Sequence, residues 1–354
     1  MEVPVLRRRL LAWYRAHRRS LPWRGADVYG VWVSEVMLQQ TRVDVVTPYY
    51  LRWMTRFPTV AALARAEEDD VLRRWAGLGY YSRARNLHAA AKVVARDGWP
   101  KDLAGWRALP GVGPYTAAAV TSIAHGQPNA AIDGNVIRVV ARLDAERRDV
   151  TTAAASKAIA ARAQDWLAPR AAGDWNQAMM DLGATVCTPR NPRCDACPVA
   201  DLCTAKALAL TTELPRKRKA KAPTVEDRAV ALVRRQGKVL LVRSRTGLLA
   251  GLWTLPHAPN ADELPAAVRR QTGTTVRVDR LHGDATHQFS HRTWRMSVHE
   301  ATPAAKPEKL TAAAGWIPIA DLGHEAIPAA TRAALATAGL MPTKAKTTQA
   351  SARP

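Results

Sequence analysis

No stretch of this 354-residue chain approaches the roughly 18 consecutive apolar residues needed to cross a bilayer. The basic segment Leu6–Arg15 has no unbroken apolar core and no small-residue cleavage site, so a secretory leader is not expected. A soluble, cytoplasmic protein is the expectation. Acidic residues are scarce: 30 Asp and Glu stand against 52 Lys and Arg, a formal charge of +22. The excess is not one basic tail, because residues 1–222 carry 34 basic against 20 acidic side chains and residues 223–354 carry 18 against 10. Such a charge attracts polyanions, nucleic acid or an anionic membrane surface. The plain alternative is an Arg- and Ala-rich composition that only keeps the protein soluble. Cysteine is scarce too, with four residues, all within Cys187–Cys203. In a reducing compartment, clustered thiols read as metal ligands rather than disulfides.

What is present divides the chain. Up to about residue 205 apolar residues recur at helical spacing, as in Val28, Val31, Trp32, Val36 and Leu38, or Val136, Val139, Val140 and Leu143. Short Gly- and Pro-containing punctuators separate the segments. Leu214–Pro223 is charged, Pro-bounded and aperiodic, and reads as a linker. Beyond it, Ala229–Val233, a Gln236-Gly237 turn and Val239–Val242 form a hairpin candidate. Thr275–Val278 and Thr293–Val298 read as further strands, and Ala261–Gln271 as a helix. The expected fold is therefore multi-domain: an all-α domain over 1–205, a basic linker over 206–224, an α+β domain over 225–340, and a disordered tail over 341–354.

Four features carry chemistry. The spacing Cys187-x6-Cys194-x2-Cys197-x5-Cys203 holds a single CxxC, whereas zinc sites usually pair two such elements across a longer loop. So compact a cage suits one 4Fe–4S cluster, which shapes a loop whose Arg190 and Arg193 are placed to meet phosphate. Leu109-Pro-Gly111-Val112-Gly113-Pro-Tyr115-Thr116 precedes an Ala-rich helix. Two glycines in a tight turn between helices leave N–H groups bare for close phosphate approach, as in a helix–hairpin–helix that grips DNA without reading sequence. Asp133, just before an apolar-periodic helix, is either a plain N-cap or a carboxylate facing the gripped backbone. Glu35 continues the stripe of Val28, Val31 and Trp32, where desolvation would raise its pKa as a general acid requires. A buried Glu paired with a nearby arginine is the equal alternative.

These pieces, in this order, resemble the endonuclease III superfamily of base-excision DNA glycosylases, and within it the adenine glycosylases of the MutY type. The resemblance runs from about Arg7 to Cys203 and continues more weakly to the C-terminus. Its most specific stretches are Leu21-Pro-Trp-Arg24, Ser34-Glu-Val-Met-Leu-Gln-Gln-Thr41, Gly77-Leu-Gly-Tyr-Tyr81 with Arg83-Ala-Arg-Asn86, the hairpin, Asp133-Gly-Asn135, Asn176–Gly183 and the four cysteines. Lyases of the superfamily carry a Lys at the hairpin–helix junction that attacks the sugar as an amine. Here Tyr115 stands at that position, and a phenol cannot form the imine.

The resemblance implies roles by position. Glu35 matches the acid that protonates adenine N7, and Asp133 the carboxylate that stabilises the oxocarbenium-like sugar. Tyr115 and Asn135 match residues that position sugar, carboxylates or water. Arg19, Trp23, Arg24, Leu38 and Gln177 match the pocket around an adenine flipped from the stack. Gln39, Gln40, Thr41, Leu78 and Tyr80 match the surface that wedges into the duplex, while Leu109, Gly111, Val112 and Gly113 match the DNA-gripping hairpin. The C-terminal domain resembles a Nudix-like reader, with Phe289, Ser290 and His291 at the loop that engages 8-oxoguanine. No acidic residue occurs in the Ala266–Thr272 stretch ahead of Gly273, so the Mg²⁺-binding glutamates of a Nudix hydrolase are missing. The expected activity is removal of adenine from A:8-oxoguanine or A:G mispairs in double-stranded DNA, by a monomer without lyase chemistry. A thymine- or pyrimidine-directed glycosylase on the same scaffold, or a non-catalytic DNA-binding relative, are the alternatives.

Overall fold

The computed structural model describes residues 2–218, 222–244, 246–304 and 308–342; the parts of the linker and tail expectations on 219–221 and 343–354 lie outside them. Contacts divide the chain into two compact units, Met1–Ala66 with Ser82–Ala220, and Glu67–Tyr81 with Lys221–Pro354. Among the described residues no helix is long and apolar enough to cross a membrane.

The first unit is helical: α1 (Val3–His17), α2 (Val28–Leu38), α3 (Val43–Arg56) and α4 (Val60–Ala64) lead the chain out to α5 (Glu68–Trp75), which groups with the second unit. The chain returns with α6 (Ser82–Asp97), α7 (Leu103–Ala108), α8 (Pro114–His125), α9 (Gly134–Leu143), α10 (Ala153–Trp166), α11 (Ala172–Thr185) and the short α12 (Thr204–Ala207). Side-chain caps set many of the starts. Asp27, Thr59, Asp102, Asp133 and Thr152 each accept a hydrogen bond from the backbone N–H three residues on. Each such cap is worth about 1 kcal/mol. Helix α2 is apolar on every side and buried from Tyr29 to Met37, as a helix at the centre of a bundle must be. Helices α1, α9, α10 and α11 share one core, in which Leu10, Val139, Trp166 and Trp175 are buried.

The second unit is a sheet between helices. Its strands are β1 (Thr224–Arg235), β2 (Lys238–Arg243), β3 (Trp253–Thr254), β4 (His257–Ala258), β5 (Val276–Gln288), β6 (Arg292–Pro303) and β7 (Ala314–Pro318). The main path runs β3-β2-β1-β6-β5, with β4 on β1 and β7 on β2. Strands β1 and β6 are parallel and in register from Thr224 opposite Arg292 to Val233 opposite Ala301; the other pairs are antiparallel. Alternate residues of β1 enter different cores. Ala229, Ala231 and Val233 pack with α13 (Leu264–Thr272), whereas Val230 and Leu232 pack with the core of α14 (Ala329–Thr337). A strand buried on both faces reads as a continuous apolar run, which is why Ala229–Val233 was legible. The Gln236-Gly237 turn has φ of 48° and 72°, the doubly positive pair that matches hairpin twist.

The observed elements differ from the expected ones in extent and number. The sheet is larger than its apolar runs suggested: β5 and β6 extend well past Thr275–Val278 and Thr293–Val298 because their outer portions carry exposed polar residues such as Asp284 and Arg295. Strands β3, β4 and β7 and helix α14 had no signal of their own. The first part of the stretch read as a linker is hydrogen-bonded within the first unit. Leu214 is buried, its carbonyl accepts from Arg142 Nε at 2.9 Å, and Val150 N–H donates to Arg216 O at 3.0 Å.

The hairpin between α7 and α8 tests the fold directly. Gly111 has φ +72°, and a Cβ there would stand 2.5 Å from Asn86 Cβ. At Gly113, φ is −83° and an added Cβ meets nothing within 4 Å. Chemical denaturation should therefore show Gly111→Ala destabilised by about 2 kcal/mol, combining strain with a clash, and Gly113→Ala nearly unchanged.

Candidate active site and cluster loop

A cavity of about 1130 Å³ opens in the first unit between α2, the α7–α8 hairpin, the start of α9 and α11. Glu35 lies in its wall, 5% exposed, on the buried helix α2. Burial raises its carboxyl from 4.5 to about 7; the Tyr115 hydrogen bond opposes the rise, the Asp133 charge adds to it, and Arg24 offsets part. Tyr115 Oη donates to Glu35 Oε2 at 2.6 Å. The phenol is itself pushed well above its usual range, first by burial and then by the two carboxylates, so it stays protonated and a donor. A carboxyl poised near 7 can deliver a proton at neutral pH, which neither an exposed Glu nor a phenol does.

Asp133 faces the same cavity from the first turn of α9. Its Oδ1 accepts from Val136 N–H at 2.7 Å, the N-cap bond, and its Oδ2 from Asn135 Nδ2 at 2.7 Å. Asp133 is thus the N-cap of α9, and the cap fixes its carboxylate on the cavity lining. Asn135 is held in turn by Arg138, whose Nη2 donates to Asn135 Oδ1 at 2.8 Å and to Gly183 O at 2.6 Å, while Nε donates to Cys187 O at 2.7 Å. Gly183 permits this approach, because a Cβ there would stand 2.6 Å from Asn135 Cβ.

The residues matched to a base pocket also line the cavity. Asp181, buried, accepts from Arg19 Nη2 at 2.6 Å and from Arg24 Nη2 at 2.8 Å, and Arg24 also donates to Gln177. Trp23 sits edge-on to Tyr50 at 5.3 Å. Leu38 is partly exposed at the end of α2 and lines the cavity. After that helix, Arg83 Nη1 donates to Val36 O, Met37 O and Gln39 O, which fixes the turn into Gln40 and Thr41. Gln39 donates to Thr116 Oγ1 at 3.0 Å, and Gln40 has φ +56°, a left-handed conformation rare outside glycine.

Leu109 and Val112 are buried, so their side chains anchor the hairpin, which agrees with a phosphate contact expected through its backbone. Leu78 is likewise buried, whereas Tyr80 is exposed and left-handed at φ +46°. In the second unit, Ser290 and His291 are exposed at the β5–β6 turn, and Ser290 Oγ lies 2.5 Å from Tyr80 Oη. Phe289 is instead partly buried against the core.

The four cysteines, all half-buried, line one small pocket with Arg142 and Lys206. No group of three His, Cys, Asp or Glu side chains among the described residues is drawn together as a single ion would need. Four thiols around a common space fit a multi-iron centre, which spans more than one ion. The pocket wall is basic: Arg142, fully buried, donates to Cys187 Sγ at 3.3 Å and to Thr188 O at 2.7 Å. A guanidinium offsets the charge that four thiolates bring.

Residues 33–169 match the HhH-GPD superfamily of base excision DNA repair proteins, residues 187–203 the iron-sulfur binding domain of endonuclease III, and residues 229–337 the NUDIX domain. The adenine DNA glycosylase of Rattus norvegicus is 36% identical, covering 86% of this chain and 72% of its own. That of Schizosaccharomyces pombe is 32% identical, covering 92% and 87%. The chain belongs to the adenine DNA glycosylase family. A solved thermostable thymine-DNA glycosylase shares the helical fold, with a TM-score of 0.53 and 27% identity over 58% of this chain and 97% of that one.

As an adenine DNA glycosylase of base-excision repair, the protein acts on DNA and carries one 4Fe–4S cluster on the Cys187–Cys203 loop. When bound, the cluster would tie that loop together through the four cysteines. Sequence reasoning missed Arg138, Arg142 and Asp181. Each is a charge on a helix that also carries core residues, and a lone charge there reads as solvent-facing. The signal available was Asp181 within the Asn176–Gly183 stretch, a charge among apolar residues.

Glu35 gives a stability test with a defined sign. Its carboxyl binds a proton more tightly folded than unfolded, so its burial is tolerated at low pH and costs stability as pH rises from 4.5 to about 7. Glu35→Gln, which cannot ionise, should melt increasingly above the parent protein across that window, with a gap of up to about 3 kcal/mol above pH 7. A gap independent of pH would place the proton elsewhere.

Proposed function

We propose that this glycosylase removes adenine from mispairs with 8-oxoguanine or guanine by simple hydrolysis, without lyase chemistry. The observation that carries the reading is the Tyr115–Glu35 hydrogen bond: the junction position is occupied by a protonated phenol, and no lysine lines the cavity among the described residues. No amine is therefore presented to the sugar. Glu35 gives its proton to adenine N7, the C1′–N9 bond breaks, and its electron pair leaves with the base. The Asp133 carboxylate, held by Val136 N–H and Asn135, lies beside the positive charge that develops at C1′. A water oxygen then bonds to C1′, and its proton passes to the ionised Glu35, which restores the starting state. Arg19, Arg24 and Gln177 offer a polar wall to the flipped base, with the arginines fixed on Asp181.

Lesion reading falls to two strained or exposed segments. Gln40 and Tyr80 hold left-handed backbones without being glycine, a cost that persists where function over-determines it. Ser290 and His291 present a hydroxyl and an imidazole from a turn, and the hydroxyl meets Tyr80.

Duplexes bearing A:8-oxoguanine, A:G or T:G, developed with and without alkali, test the reading. Adenine should be lost from the first two, faster opposite 8-oxoguanine, with strand breaks only after alkali. Breaks without alkali would restore a lyase, and loss of thymine from T:G would favour the activity named for the structural neighbour.

A further inference from the structure

The turn that carries Ser290 and His291 is built on one carboxylate. Glu226 of β1 lies in parallel register with Trp294 of β6. Its Oε2 accepts from Trp294 Nε1 at 3.0 Å and from Arg228 Nη2 at 2.9 Å, and its Oε1 accepts from Arg292 Nη1 at 3.0 Å. The Trp294 ring is then packed from several sides. Arg228 lies over it at 5.0 Å, and Phe289 meets it edge-on at 5.1 Å, with His287 edge-on to Phe289 at 4.5 Å. The backbone closes the same unit: Phe289 N–H donates to Arg292 O at 2.8 Å, and Thr224 N–H to His291 O at 3.1 Å. Phe289 is thereby held inward against the core, while Ser290 and His291 remain exposed.

We propose that Glu226 and Trp294 are positioning residues for recognition of the base opposite adenine, fixing the 289–292 turn so that Ser290 and His291 meet that base in one geometry. The inference rests on the reading of those two residues given above. Neither Glu226 nor Trp294 needs to touch DNA. Glu226 joins the residue after the turn, Arg292, to the aromatic platform under Phe289; without it Arg228 and Arg292 lose their shared anion. A reader that is already ordered does not spend binding energy on ordering.

The full-length protein distinguishes the possibilities. The readouts are single-turnover adenine release and duplex affinity for A:8-oxoguanine and A:G, amide exchange of residues 289–292, and thermal melting. Glu226→Gln should lower the preference for A:8-oxoguanine over A:G by roughly tenfold and speed exchange at the turn. Release from A:G at saturating enzyme should stay within about twofold, since the cavity around Glu35 is unaltered. Trp294→Phe, which keeps a ring against Phe289 but loses the N–H donor, should give a smaller loss in the same direction. In a Ser290→Ala/His291→Ala background, Glu226→Gln should add nothing, because the groups it positions are gone. If Ser290→Ala/His291→Ala lowers the preference and Glu226→Gln does not, the inference falls and the lesion-reading assignment stands. If neither changes it, that assignment falls and the inference with it. Equal losses on both duplexes with a lowered melting temperature would mean general damage, and would also overturn the proposal.

Discussion

A carboxyl group withdrawn from water sets the terms for the rest of the helical unit. Glu35 sits on α2, a helix so apolar that almost all of it is buried, and the resulting desolvation keeps a proton on the carboxyl near neutrality. Every neighbour is then constrained. Tyr115 must remain a phenol to donate to it, and Arg24 is close enough to act on its charge only because Asp181 and Gln177 hold that guanidinium. Above pH 7 the burial works against the fold.

Asp133 is held in a different way. Its carboxylate accepts from a backbone N–H and an amide N–H, and its partner Asn135 is fixed by Arg138. The same guanidinium reaches Gly183 O and Cys187 O, so one side chain joins α9, α11 and the first cysteine of the cluster loop. Arg142, one helical turn further along α9, binds Cys187 Sγ and the Leu214 carbonyl. The iron–sulfur loop is in this way part of the scaffold behind the active site: what fixes Cys187 also fixes the carboxylate two hydrogen bonds away.

Much of this was legible in the chain because the chemistry is local in sequence. The four cysteines lie within 17 positions, the hairpin is one run from Leu109 to Thr116, and Asp133 precedes its own helix. Glu35 could be placed because it lies on an apolar stripe, but its partner, Tyr115, stands 80 positions away and leaves no mark on that stripe. What was not legible depends on partners distant in sequence. Arg138 and Arg142 bury their charges only because carbonyls 45 and more residues away converge on them. The burial of Leu78 and the exposure of Tyr80, two positions apart in one Gly-containing stretch, had no signal in the residue types. The outer halves of β5 and β6 are polar, and only the cross-strand register makes them strands.

The central claim, that a proton held on Glu35 drives base release, is most directly tested by the pH dependence of adenine release in single turnover, measured on the parent protein and on Tyr115→Phe. The rate should be level below about pH 7 and fall about tenfold per pH unit above it. Since the Tyr115 hydrogen bond favours the ionised carboxyl, its removal should carry the falling limb to higher pH, whatever it does to the plateau. A profile that stays level to pH 9, or a limb that moves down in Tyr115→Phe, would contradict the account.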